Sequence, residues 1–125
     1  MTRTIRTAAL FMLATFSLLA HTANATRIIA QDHDAYELRL GEVDLPDNTS
    51  GTVIFKACKS CKTQSMRVTN TTVYQVGGRM VTLKDFTEAA EAYRKQGDTS
   101  RTMVTLIFHI GSHQVTRLGI SNFGQ

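Results

Sequence analysis

Thr102 to Ile110 constrains the fold more than any other stretch of this chain. Met103, Val104, Leu106, Ile107, Phe108 and Ile110 place apolar side chains on both faces of an extended segment. A strand that is apolar on both sides belongs in the interior of a sheet. Gly111-Ser112 follows and suits a two-residue type II′ turn, so His113 to Ile120 is expected to return antiparallel. On that hairpin His109 pairs with Gln114 and the side chains of His109 and His113 diverge.

An interior hairpin needs strands on either side, and the preceding sequence supplies them. Tyr36-Glu37-Leu38-Arg39-Leu40 alternates apolar and charged residues, the period of a half-buried strand. Thr52 to Ala57 is β-branched and aromatic and reads as a second strand. Between them Leu45 to Gly51 is a loop that holds the only proline, Pro46. From Gln64 to Val76 the apolar residues Met66, Val68, Tyr74 and Val76 fall on even positions, and Asn70-Thr71-Thr72 breaks the run into one bent strand or two short ones. Gly77-Gly78 suits a tight turn with positive φ, and Arg79 to Val81 returns. Thr26 to Asp34 reads as a polar lead-in with at most a brief strand at Arg27-Ile28-Ile29.

One helix is legible. Thr82 is an N-cap with Asp85 three residues on, and Val81 and Phe86 stand where a hydrophobic staple would place them. Leu83, Phe86, Ala90 and Tyr93 share one face, while Lys84, Glu88, Glu91 and Lys95 point away. Arg94 and Lys95 suit the negative end of the helix dipole, and Gly97 suits a left-handed stop. The spacing predicts a helix over 83–96. The element order is therefore β-β-β-α-β-β. That order predicts an α+β domain, a mostly antiparallel sheet with one helix, and its leading arrangement is an OB-like barrel whose end the helix plugs.

The first 25 residues set the expected compartment. Arg3 and Arg6 precede an uncharged run from Ala8 to Ala20, and Ala23-Asn24-Ala25 presents the small residues of a cleavage site. The apolar run is shorter than the roughly 20 residues of a membrane span. A cleaved leader and a periplasmic or secreted domain over 26–125 are expected, with no span left after cleavage. Removal of the leader from 125 residues leaves 100, one domain with room for one core. The chain has 14 basic and 10 acidic residues, and two of the basic ones lie in the leader, so the remainder carries +2. So small a charge argues against nucleic acid as partner.

Cys58 and Cys61, the only cysteines, admit three readings. In an exported chain their spacing fits a disulfide across a β-turn. A redox site is the second reading, favoured by Lys56, Lys59 and Lys62, which would stabilise a thiolate. Against it, the residues after Cys61 read as strand, whereas a thioredoxin-like pair sits at a helix N-terminus. The third reading is half of a metal site, completed by His109 and His113 or by Asp32-His33-Asp34. Divergent histidines disfavour it, and Asp32-His33-Asp34 reads better as a polar entry loop. No catalytic set, cofactor site or metal site is read from the rest. Asn48-Thr49-Ser50 and Asn70-Thr71-Thr72 match a glycosylation pattern, which matters only in a eukaryotic secretory host. Lys56, Lys59, Lys62, Arg67 and Arg79, with Arg117, form a candidate basic surface beside Tyr74 for an anion or a single-stranded nucleic acid.

The block Thr72-Val73-Tyr74-Gln75-Val76-Gly77-Gly78-Arg79-Met80-Val81-Thr82-Leu83-Lys84-Asp85-Phe86, with Val115-Thr116-Arg117-Leu118 after the helix, resembles a block of small exported bacterial domains of unassigned function. The resemblance covers about the second half of the mature chain and rests on structural motifs. It implies a bacterial envelope protein and carries no site residues. The expectation for function is a non-enzymatic envelope module that binds a protein or other envelope partner or stabilises an assembly. A thiol–disulfide or metal-handling protein using Cys58 and Cys61 is the first alternative, and an OB-like anion or nucleic-acid binder is the second.

Overall fold

Two halves of one strand begin and end the sheet. In the computed structural model, which describes residues 31–123, β1 (His33–Arg39) runs into a 3-10 turn at Leu40–Glu42 and resumes as β2 (Val43–Asp44). β3 (Thr52–Lys56), β4 (Thr63–Val76) and β5 (Arg79–Val81) follow, then α1 (Leu83–Lys95), β6 (Thr102–His109) and β7 (Gln114–Asn122). The sheet order is β1-β6-β7-β4-β3-β2, with β5 on β4. Every pairing is antiparallel except β4 with β7, which is parallel. The leader and the brief strand expected at Arg27–Ile29 lie outside the described residues.

The sheet is strongly curled. Tyr36 on β1 and Phe55 on β3 are far apart in the strand order, yet their rings meet at 5.1 Å. Tyr36 also stacks on Phe108 of β6 at 5.4 Å, so three aromatic rings from separate strands fill the concave side. Around them Leu38, Leu40, Val53, Met66, Val68, Val104, Leu106, Val115, Leu118 and Ile120 form one buried core. The result is an α+β half-barrel with one helix packed into it.

Local chemistry explains most element limits. The Thr82 hydroxyl accepts a hydrogen bond from the Asp85 N–H at 3.1 Å and donates to the Asp85 carboxylate at 2.9 Å, which starts α1. Phe86 and Ala90 are buried, and Leu83 and Tyr93 pack partly against the core, as the helical spacing requires. Gly97 takes the left-handed conformation after α1. Gly77 and Gly78 both have positive φ, 56° and 79°, and turn β4 back into β5.

β4 is one strand with an irregularity. Its pairing with β7 jumps between Val68 and Val73, where Asn70-Thr71-Thr72 interrupts the alternation. Hydroxyls replace the missing ladder bonds there: Thr72 donates to the Val115 carbonyl at 2.7 Å and accepts from the Thr69 N–H at 2.9 Å. Both flanks keep their even-numbered side chains inward, with Met66, Val68, Thr72 and Tyr74 buried.

Two local expectations need correction. Gly111-Ser112 does not make a type II′ turn. Residues 110–113 form a wider loop closed by the His113 N–H on the His109 carbonyl at 2.9 Å, and the positive φ, 53°, is at His113. The His109 ring supports it by accepting the Ser112 N–H at 3.2 Å on Nδ1. The register expected for His109 and Gln114 holds nonetheless. The second correction concerns Asp32-His33-Asp34, read as an entry loop. His33 and Asp34 belong to β1, in register with His109 and Phe108, because the end of β6 offers them a free edge.

Candidate functional site

The cysteine turn is the simplest of the candidate sites. β3 ends at Lys56 and β4 starts at Thr63, and these two residues face each other across the ladder. The intervening turn is closed by the Cys61 N–H on the Cys58 carbonyl at 3.1 Å and by a Cys58–Cys61 disulfide, with Cα atoms 5.0 Å apart. Lys59 and Lys62 project from this turn and are exposed, as is Cys58. Lys56, Lys59, Cys58 and Glu42 rim a hollow of about 240 Å³. The pair leads into a strand, so no helix dipole acts on the sulfurs.

Among the described residues no group of three or more His, Cys, Asp and Glu side chains is placed to hold a metal ion. His109 turns away from His113. It meets His33 edge to face with ring centroids 5.4 Å apart, while His113 stacks on Phe108 at 6.3 Å. Of the hairpin register that predicts their divergence, the His109–Gln114 pair is observed, while His113 lies in the loop and is not paired with Ile110.

Lys56, Arg67 and Arg117 lie on the convex face of the sheet. On β3 Thr52, Ile54 and Lys56 point outward, and on β4 Thr63, Ser65 and Arg67 are their partners. Lys56 and Arg67 therefore share a face, separated by four residues of strand or about 13 Å. Arg67 pairs onward with Gln114 of β7, and Arg117 of β7 points outward beside Val73. Arg67 also borders a polar cleft of about 610 Å³ with Ser50, Thr69, Asn70 and Gln114. Arg79 stands opposite Val76, nine residues beyond Arg67 and about 30 Å along β4, so it does not join the lysines.

One part of the expected surface is absent. Tyr74 does not flank the basic residues, because it points into the core, 6% exposed, with its ring 5.3 Å from that of Phe86. Its hydroxyl is buried with no hydrogen-bond partner among the described residues, and burial raises its pKa above the ordinary tyrosine value. Phe55, Phe86 and Phe108 are buried as well, so no aromatic ring stands on the outer face of β3, β4 or β7.

What distinguishes the face is its charge pattern. No Asp or Glu occurs in residues 48–84 or 99–125. These stretches include β3, β4, β5, β6 and β7, and four of those strands are consecutive neighbours in the sheet. The acid-free face is bounded by Asp44 on β2 and Glu37 on β1. Lys56, Arg67 and Arg117 make no ion pair among the described residues; the two that occur, Lys84 with Glu88 and Arg94 with Glu91, are both within α1. Composition hides this segregation because the helix and the first strand supply the compensating acids. The gap in acidic residues along the sequence is the signal that would have revealed it.

Apolar groups share the face. Ile54 is 41% exposed and Met80, opposite Gln75, is 75% exposed. No described helix is long and apolar enough to cross a membrane. No family model, curated protein or solved structure matches this chain.

Proposed function

We propose that this chain is an exported, non-enzymatic binding module of the bacterial envelope, and that the convex face of β3, β4, β7 and β6 binds an acidic protein partner. The observation that carries the reading is the set Lys56, Arg67 and Arg117 on β3, β4 and β7, unpaired among the described residues, within four neighbouring strands that hold no carboxylate. Such a field steers and holds a negatively charged partner. The composition of the face supports a protein over a nucleic acid. Arg and Met with an exposed Ile are typical of protein interfaces. Single-stranded nucleic acid needs a row of aromatic platforms; β3, β4 and β7 turn none outward, and the exposed ring beside them is Phe123, just beyond the end of β7.

The strand path supports an OB-type barrel. The bent first strand pairs through β1 with β6 and through β2 with β3, α1 follows the third long strand, and that strand lies parallel to the last. In such barrels the face of the second and third strands, here β3 and β4, and the loops beside it bind oligonucleotides and oligosaccharides. Export follows from the pattern of residues 1–25 and suits a disulfide in a short turn.

The test is binding to an oligo-glutamate peptide, with oligo-glutamine and oligothymidylate as controls. Binding of oligo-glutamate alone, weakened by salt and lost in Arg67→Glu, is the expected result. Preference for oligothymidylate, or no salt dependence, would overturn the reading. A second reading is thiol exchange at Cys58, drawn from the exposed sulfur beside Lys56 and Lys59. It requires a reduction potential well above about −300 mV, the upper bound of structural disulfides.

A further inference from the structure

Gly119 sits in the middle of β7, where a side chain would favour the strand and glycine weakens it. Positive φ, a bulge and crowding do not account for this glycine. Its φ is not positive, unlike those of Gly77, Gly78 and Gly97. It is not at a bulge, because Gly119 pairs in regular register with Thr105 and Gln75, and the shifts in pairing fall before it, at Ile107/Phe108 and Val68/Val73. Nothing crowds it either. A Cβ would stand 3.9 Å from the Thr105 Cβ and 4.0 Å from the Gln75 Cβ, which is ordinary contact. Strand glycines of this kind occur at tight bends of a curled sheet and where a ligand or another backbone comes close, and the backbone at Gly119 is open to such an approach.

Above Gly119 lies a hollow of about 210 Å³ lined by Gln75, Thr105, Ile107, Arg117 and Ser121. Its chemistry is one guanidinium, one amide, two hydroxyls and one aliphatic wall. Arg117 is exposed and has no carboxylate partner among the described residues. The nearest acid in register is Glu37, one strand away beyond Thr105, and it does not line the hollow. A guanidinium in this setting takes a carboxylate through two parallel N–H donors. The aliphatic wall of Ile107 suits the short methylene stem that carries such a group.

We propose that the hollow over Gly119 seats a glutamate side chain of the protein partner, with Arg117 holding the carboxylate and Ile107 packing on its stem. This rests on the acidic-partner reading and names the anchor within that face. Gly119→Val fills the seat, and Arg117→Gln removes the fork. With oligo-glutamate as probe, each variant is expected to bind roughly ten-fold more weakly or worse, the loss of a hydrogen-bonded charge pair. Gly119→Val should melt no lower than the parent, since it gains strand propensity in open space. Binding lost while stability holds is a pattern that a purely structural glycine does not give. Parent-like binding by either variant would overturn the seat, and so would unfolding of Gly119→Val, which would mean that the fold itself uses the space. If the parent chain binds no oligo-glutamate, both this seat and the acidic-partner reading fail. If the parent binds and Gly119→Val binds equally well, the seat alone fails.

Discussion

The helix and the sheet present opposite electrostatic designs. On α1 the exposed charges answer one another: Lys84 pairs with Glu88 at 3.8 Å and Arg94 with Glu91 at 2.8 Å, and Arg94 also donates to the Val43 carbonyl at 2.9 Å. The helix spends its chemistry on the fold. On β3, β4 and β7 the cations have no such partners among the described residues; hydroxyls, amides and the exposed Ile54 lie beside them, and Glu42 shares the hollow at Lys56. One chain thus carries a wall whose charges are paired and a wall whose cations are not. Net charge reports only the sum of the two.

The largest effect should separate the walls by their structural weight. Phe86 is fully buried between α1 and the sheet, and Phe86→Ala should cost about 4 kcal/mol in chemical denaturation. A loss below about 1 kcal/mol would mean that the helix is peripheral and that the sheet stands without it. On the other wall, Cys58→Ser with Cys61→Ser should cost no more than about 2 kcal/mol, since the disulfide closes a very short loop. Complete unfolding of that variant would make the turn a structural centre.

Tyr74 lies where the walls meet, and its buried hydroxyl is unsatisfied. Tyr74→Phe should therefore leave neutral-pH stability unchanged or raise it by about 1 kcal/mol. Its raised pKa has a definite sign. The neutral phenol is favoured in the fold, so its contribution is complete below the unfolded value near about 10. It is lost as pH climbs from there through the folded value. A urea series at alkaline pH should show this decline in the parent and less of it in Tyr74→Phe. The smallest effect belongs to the helix surface: Lys84→Gln breaks a pair whose side chains are 82% and 65% exposed, and should cost about 0.3 kcal/mol.

Periodicity and capping made much of the fold legible. The even-numbered apolar run of β4, the Thr82 cap, the three positive-φ glycines and the interior position of β6 each follow from side-chain spacing or a local φ requirement. What stayed hidden depends on contacts distant in sequence. The first strand extends back to His33 because the end of β6 offers it an edge. The wide loop at 110–113 arises because the His109 ring captures the Ser112 N–H, a contact that outweighs the glycine signal at Gly111. Tyr74 turned inward because its even position put it in register with Leu118, which its polar end obscured. Of the candidate site, the disulfide and the outward Lys56 and Arg67 were legible from spacing. The grouping with Arg117 was not, because it needs the parallel pairing of β4 with β7.

Amide chemical-shift mapping of the isotope-labelled protein during titration with oligo-glutamate tests the open wall directly. The expected shifts centre on Gly119, Arg117, Gln75 and Thr105, extend toward Arg67, and shrink as salt is added. Shifts confined to α1 or to residues 57–62, or no shifts at all, would contradict it.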